Sequence, residues 1–249
     1  MKTASKPDAR VNLGVDFFST QVTVPALGGF VALEKQVQRL HERRTSRLTR
    51  KCVCAVPFDV FPRVYDTGLD TELMIESIRI GRSERFLEIG CGTGAVSILT
   101  ALRSREGIGV DISWNAIANA KHNADMLKVQ NVLFLQSDVF RNVKRRFDVL
   151  VCNPPYSCYP ARDAVDRMFW DPENEMKRKF FAGAHARLTK GGRIYFGWAD
   201  FRDIDSELPF RLADNHGFAV AGVRQRSSRS GEYTFIVFEF QRNRNSNEA

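Results

Sequence analysis

The tetrapeptide Asn153-Pro154-Pro155-Tyr156 concentrates chemistry in four residues. Two prolines remove two backbone donors and fix φ twice, so the loop is stiff. The carbonyls of Asn153 and Pro154 stay free to accept, and the Asn153 side chain offers both a donor and an acceptor. Tyr156 supplies a flat face for stacking. Such a loop can hold a planar –NH2 group by accepting its two hydrogens. The plainer alternative is a proline-rich turn after a strand.

A second cluster is Glu88-Ile-Gly90-Cys91-Gly92-Thr93-Gly94. Its glycines let the backbone turn tightly and approach a ligand. The spacing is G-x-G-x-G rather than G-x-G-x-x-G, and the Lys-Ser/Thr pair of a P-loop is absent. The Glu88 carboxylate would repel a pyrophosphate and attract a cation such as an amino group or a sulfonium. Asp111 closes the run Ile108-Gly-Val-Asp111 and is placed to accept from both ribose hydroxyls of a nucleoside. In Gln136-Ser-Asp138-Val139-Phe140, Asp138 is placed to accept from an adenine amino group, with Val139 and Phe140 along the ring. Each acid alone reads as a turn or cap; three at successive strand ends after a glycine loop read as a nucleoside site.

These residues need a scaffold that brings strand ends together. β-type runs near 85–89, 107–111, 132–136, 147–152, 192–198, 218–225 and 233–241 alternate with helical patterns near 70–80, 94–104, 114–127, 173–188 and 205–216. Alternation implies parallel strands joined by right-handed crossovers in a doubly wound α/β sheet. The last two runs are separated only by the polar stretch 226–232, which predicts an antiparallel hairpin at the sheet edge. The expectation is a Rossmann-like sheet of seven strands.

Three segments are expected: an N-terminal extension over 1–55 with a basic amphipathic helix, an α/β domain over 56–241, and a polar tail over 242–249. The extension holds a β-like run, Thr20-Gln-Val-Thr-Val24, and a helix opening at Gly28-Gly29. Phe30, Leu33, Val37 and Leu40 form its apolar face. Arg39, Arg43, Arg44 and Arg47 form the other, read either as a solvated face or as a surface for nucleic acid or an acidic partner. Residues 1–51 carry ten Lys and Arg against four Asp and Glu, whereas the rest of the chain carries 27 against 25. The basicity therefore belongs to the extension.

The 249 residues, 43% hydrophobic and 27% charged, suit a globular chain with a sizeable core. No stretch approaches the roughly 18 unbroken apolar residues of a membrane helix, and the N-terminus has no apolar signal region. Five cysteines at no framework spacing fit a reducing cytoplasm. His41, His122, His185 and His216 are dispersed and Cys52-Val-Cys54 lacks a partner pair, so no metal is expected. Cys91 and Cys152 occupy places where a small side chain suffices, with no reactive role.

Over roughly residues 55–241 the chain resembles the class I S-adenosylmethionine-dependent methyltransferases. Glu88 to Gly94 is similar to that family's first motif, Asp111 and Asp138 to its later acidic positions, and Leu188-Thr-Lys-Gly-Gly-Arg-Ile194 to its entry into a late central strand. Asn153 to Tyr156 resembles the (Asp/Asn)-Pro-Pro-(Tyr/Phe/Trp) signature of enzymes that methylate planar nitrogens: adenine and guanine amino groups, and the glutamine amide of peptide release factors. Pro62-Arg63 followed by Thr71-Glu72-Leu73 resembles the approach segment of the glutamine-modifying enzymes, with a longer spacing over residues 64–70. In those enzymes it crosses the cofactor, which would put Tyr65 near the adenosine and Asp70 and Thr71 near the methionine end.

The resemblance implies an enzyme with S-adenosylmethionine as cofactor. Its cofactor-binding residues would be Tyr65, Asp70, Thr71, Glu88, Gly90, Cys91, Gly92, Gly94, Asp111, Ile112, Asp138, Val139 and Asn153. Asn153, Pro154 and Tyr156 would be catalytic, and there would be no metal. The acceptor would be a planar amino or amide nitrogen of a protein or RNA. The alternatives are a small-molecule amine, or a non-catalytic module that only binds the cofactor. No membrane partner is expected, and oligomeric state stays open. The first 50 residues do not match the helical recognition domain of the release-factor enzymes. The stretch 157–175, with Arg162, Arg167, Phe169 and Trp170, is expected to overlie the acceptor pocket.

Overall fold

The structure, a computed structural model, describes residues 33–201 and 204–243. Seven strands form one sheet: β3 (Arg85–Ile89), β4 (Glu106–Asp111), β5 (Val132–Gln136), β6 (Phe147–Cys152), β7 (Leu188–Ala199), β8 (Phe218–Ser227) and β9 (Thr234–Arg242). Their order is β5-β4-β3-β6-β7-β9-β8. The first five pair in parallel; β9 runs antiparallel between β7 and β8. This is the doubly wound sheet with a C-terminal hairpin that the alternation predicts. The central strand β6 is buried along nearly its whole length, as a strand covered on both faces must be.

Helices α2 (Leu69–Ser77), α3 (Ala95–Ala101) and α4 (Trp114–Met126) cover one face of the sheet. Met74, Ile98 and Ile117 from them pack with Phe86 and Val149 in one core. Helices α5 (Glu175–Arg187) and α6 (Leu208–Asn215) cover the other, where Phe180, Phe181 and Leu212 meet Leu150 and Phe196.

Chain order reverses between β3 and β6. The chain steps outward from β3 to β4 and β5, then returns to β6 on the other side of β3. Such a switch point opens a crevice beyond the carboxyl ends of the strands. Register aligns those ends: Ile89 lies beside Val110 and Cys152, and Asp111 beside Gln136.

A hairpin lies ahead of this sheet, β1 (Thr49–Val53) with β2 (Val56–Val60), and the boundary expected at residue 55 falls in its turn. The outer edge of β2 is satisfied by asparagines of α4. Asn123 Oδ1 accepts from Asp59 N and Asn119 Oδ1 from Phe61 N, both at 2.9 Å, and both side-chain amides donate to Asp59 O. This anchors the start of the segment that runs from Phe61 to α2.

Helix α1 (Leu33–Thr45) departs from its expected facing. Val37 is 46% exposed, and the inward stripe is Gln36, Leu40 and Arg43. Arg43 donates to Val64 O and Phe61 O, both at 2.8 Å. Arg39 pairs with Asp66, and Arg44 with Asp163 and Asp166. Carbonyls and carboxylates of the protein itself take these three guanidinium groups, so this part of the basic side docks on the protein. The Arg39 side chain nevertheless stays 47% exposed, and Arg47 lies beyond the end of the helix and is exposed, so the rest of that side faces solvent. The run at 20–24, Gly28, Gly29 and Phe30 lie outside the described residues, as do 244–249. Arg242, expected at the start of the tail, belongs to β9.

Candidate active site

The carboxyl ends of β3 to β6 open into a cavity of about 210 Å³. Tyr65, Asp70, Thr71, Glu88, Gly90, Cys91, Gly92, Asp111, Ile112, Asp138, Val139, Asn153, Pro154 and Tyr156 all line it. Gly94 does not. At φ +81° it caps α3, and a Cβ there would stand 2.9 Å from the Ala120 side chain, so it serves the packing of α3 on α4.

Gly90 (φ +79°) and Gly92 (φ +52°) hold the loop in the left-handed region, and a Cβ on either would meet no protein atom within 4 Å. They form a cradle that side chains would fill. Asp111 laces this loop to β4: Oδ2 accepts from Gly92 N at 3.0 Å and Oδ1 from Ser113 N at 2.9 Å. Asp138 is partly exposed and pairs with Lys179 at 2.7 Å. Val139 takes φ +47°, unusual for a β-branched residue. Its carbonyl accepts from Ser137 Oγ at 2.9 Å, which closes this turn beneath the cavity.

Glu88 is 2% exposed, and its carboxyl accepts from Ser97 Oγ on α3. Burial pushes its pKa up to about 8; the Ser97 contact works against this and nearby Asp111 with it. At neutral pH the ligand-free site therefore presents a protonated acid where the sequence suggests a carboxylate. Burial likewise raises the Cys91 and Cys152 thiols, which disfavours a nucleophilic thiolate at either.

At the end of β6, Asn153 Nδ2 donates to Asp70 Oδ2 at 2.9 Å and Asn153 Oδ1 accepts from the Tyr156 hydroxyl at 2.8 Å. An amide oxygen accepts twice, so one lone pair of Oδ1 stays available. Tyr156 is wedged edge-on against Trp198 and Phe201.

A roof spans part of the cavity. Met168, Phe169 and Trp170 come from the stretch expected there, and Gln36 and Arg39 come from α1. Trp170 Nε1 donates to Gln36 Oε1 at 3.1 Å, and the Arg39 guanidinium lies 5.7 Å from the Tyr65 ring centre and 5.5 Å from that of Phe169. Of the other two residues singled out there, Arg167 lines the cavity, whereas Arg162 pairs with Asp166 outside it. The contribution of α1 was not legible in the sequence. Among the described residues no group of three or more His, Cys, Asp and Glu is placed to hold a metal, and no helix is long and apolar enough to cross a membrane.

The family model for the methyltransferase small domain matches residues 60–216. The chain belongs to this family. Its sequence is 38% identical over 112 residues to a candidate protein N5-glutamine methyltransferase of Methanocaldococcus jannaschii, covering 45% of this chain and 56% of that protein. It is 32% identical over 151 residues to a release factor glutamine methyltransferase of Cereibacter sphaeroides, covering 55% and 54%. The chain spans about half the length of these curated relatives. Its fold matches that of a 16S rRNA N2 methyltransferase of T. thermophilus solved with AdoMet and guanosine, with a TM-score of 0.56, 20% identity, and coverage of 80% of this chain and 50% of that one.

Family membership carries S-adenosylmethionine as the cofactor, and the residues present fit it. The glycine cradle leaves open space, Asp111 offers acceptors at a strand end, and Ile112 and Val139 supply apolar flanks. Asp111→Ala is expected to weaken S-adenosylmethionine binding by about 1–3 kcal/mol, the scale of a charged hydrogen bond. Calorimetry showing unchanged affinity would remove Asp111 from the site.

Proposed function

We propose that the chain is an S-adenosylmethionine-dependent N-methyltransferase acting on a planar amino or amide nitrogen. The observation that carries this reading is the Asn153 amide, pinned between Asp70 and Tyr156 in a cavity wall that Pro154 also lines. A lone pair conjugated with a ring or carbonyl is a poor nucleophile. Asn153 Oδ1 and Pro154 O accept from the two N–H groups and favour electron density on nitrogen and a pyramidal geometry. These contacts strengthen as positive charge develops on nitrogen, where they count toward catalysis. Held in the cavity, S-adenosylmethionine would supply an electrophilic methyl group to that nitrogen, with S-adenosylhomocysteine as the leaving group. The proton on the methylated nitrogen is acidic and leaves afterwards, so no strong base is required.

The acceptor proposed first is a protein amide or an RNA base, in keeping with the activities by which the relatives are named, and the compartment proposed is the cytoplasm. A small planar amine is the second reading. It is favoured by the roof, which places α1 over the cavity and ties its arginines to Asp66, Asp163 and Asp166 rather than leaving them for phosphates. Methyl-label transfer into fractionated lysate separates the two. Label in protein or RNA supports the first and label in the metabolite pool the second. No transfer to any pool, or a methylated oxygen or carbon, overturns the proposal.

A further inference from the structure

Asp70 lies in the first turn of α2, 4% exposed, with Oδ2 2.9 Å from Asn153 Nδ2. Opposite, on β7, a Cβ at Gly197 would stand 2.2 Å from Asn153 Oδ1, so only glycine leaves room for this amide. A primary amide has two orientations of nearly equal shape, related by exchange of oxygen and nitrogen. Sterics cannot choose between them; hydrogen-bond polarity can. The Tyr156 hydroxyl rotates and can donate to an oxygen or accept from a nitrogen, so it suits either orientation. An ionised carboxylate only accepts. Asp70 therefore holds the NH2 end, and the flipped amide would set oxygen against carboxylate and present a donor to the N–H groups of the acceptor.

We propose that Asp70 is a positioning residue: as a carboxylate it selects the Asn153 orientation that turns oxygen toward the acceptor nitrogen, in the space that Gly197 leaves. This rests on the reading of Asn153 above, and it gives Asp70 a task other than the cofactor contact implied by resemblance. The groups facing Asp70 are Arg39 of α1, which favours its charged form, the phenols of Tyr65 and Tyr156, and the backbone N–H groups of Asp70 and Thr71. Burial is the largest influence and raises its carboxyl above the ordinary range. Once protonated, Asp70 can donate to a flipped oxygen and the selection is lost.

The test uses the full chain labelled with 15N and no ligand. The side-chain NH2 signals of Asn153 are identified by their loss in Asn153→Ala. In the wild type they are expected to shift in one step as pH falls through the titration of a single carboxyl. In Asp70→Asn, which keeps the shape and an acceptor, that step is expected to vanish. Asp70→Asn is also expected to lower kcat by about 10-fold or more, the scale of a misplaced polar group, to lose the acid limb of the pH profile, and to leave affinity for S-adenosylhomocysteine unchanged. Wild-type amide signals that ignore pH overturn the proposal. So does an Asp70→Asn enzyme with weakened S-adenosylhomocysteine affinity and unchanged kcat at saturation, the signature of a cofactor contact. If the wild type methylates nothing, the functional reading fails, while the NMR step still decides the role of Asp70.

Discussion

Asn153→Ala is expected to slow methyl transfer by about 10²-fold or more, the scale for losing a preorganised polar contact in the transition state, with S-adenosylhomocysteine affinity nearly intact. Single-turnover rates beside calorimetry check this; a variant at the wild-type rate would leave the tetrapeptide without its assigned role. Asn153→Asp is the more informative change. It keeps the acceptor oxygen, and related enzymes carry Asp at the matching place, but here it would set a second carboxylate against Asp70, at a site where Asn153 now donates over 2.9 Å. Two buried carboxyls so close share a proton. Asn153→Asp should therefore exceed the alanine variant, with its best activity displaced toward acid. A pH–rate profile shows whether that displacement occurs.

Glu88→Gln should stabilise the ligand-free protein in mild alkali. In the folded chain burial holds the Glu88 proton up to about 8, against an ordinary 4.5. The unfolded chain gives up the proton near the lower value. The stability tied to this proton is therefore complete below the lower pKa and is lost as pH rises toward the upper one. Glutamine keeps a partner for Ser97 and cannot ionise. The variant should exceed wild type by roughly 2–4 kcal/mol at pH 8–9, from about 1.4 kcal/mol per pKa unit with allowance for relaxation, and the two should converge near pH 4–5. Denaturant unfolding at both ends of that range reads the difference; a constant gap would mean that Glu88 is ionised in the apo fold. A cationic ligand group arriving there displaces a proton, so binding heat near neutrality should depend on the buffer.

The parts of the site that the sequence discloses are those written locally. Gly90, Gly92, Asp111 and Asp138 each follow a strand whose apolar run is visible, and the alternation of strands and helices brings their ends together. The hairpin β1–β2 escaped notice for a physical reason. Its two-residue turn, Cys54-Ala55, takes φ of +48° and +64° without the Gly or Asn that announces such turns, and Pro57 sits within the second strand. Helix α1 misled because the apolar residues along it suggested one buried stripe, while its Arg43 is buried by donating to two carbonyls and Val37 is left outside. Gly197 carried no signal at all: it faces the Asn153 side chain just past the end of the neighbouring strand, and only the pairing of β6 with β7 shows what it makes room for.

Helix α1 rests on a small apolar cluster around Leu40, on the buried Arg43 bonds, and on pairs from Arg39 and Arg44, of which those to Asp66 and Asp163 are partly exposed while Asp166 is buried. Dissolved ions weaken such pairs while leaving apolar contact in place. The exposed part of this latch is expected to slacken as ionic strength rises, with molecules exchanging faster through that side of the cavity in salt than in dilute buffer. A channel that draws in a polyanion behaves in the opposite sense, losing its ligand as salt is added. The sign of one slope, exchange rate against salt, thus tells a hinged cover from a groove for nucleic acid before any acceptor is known.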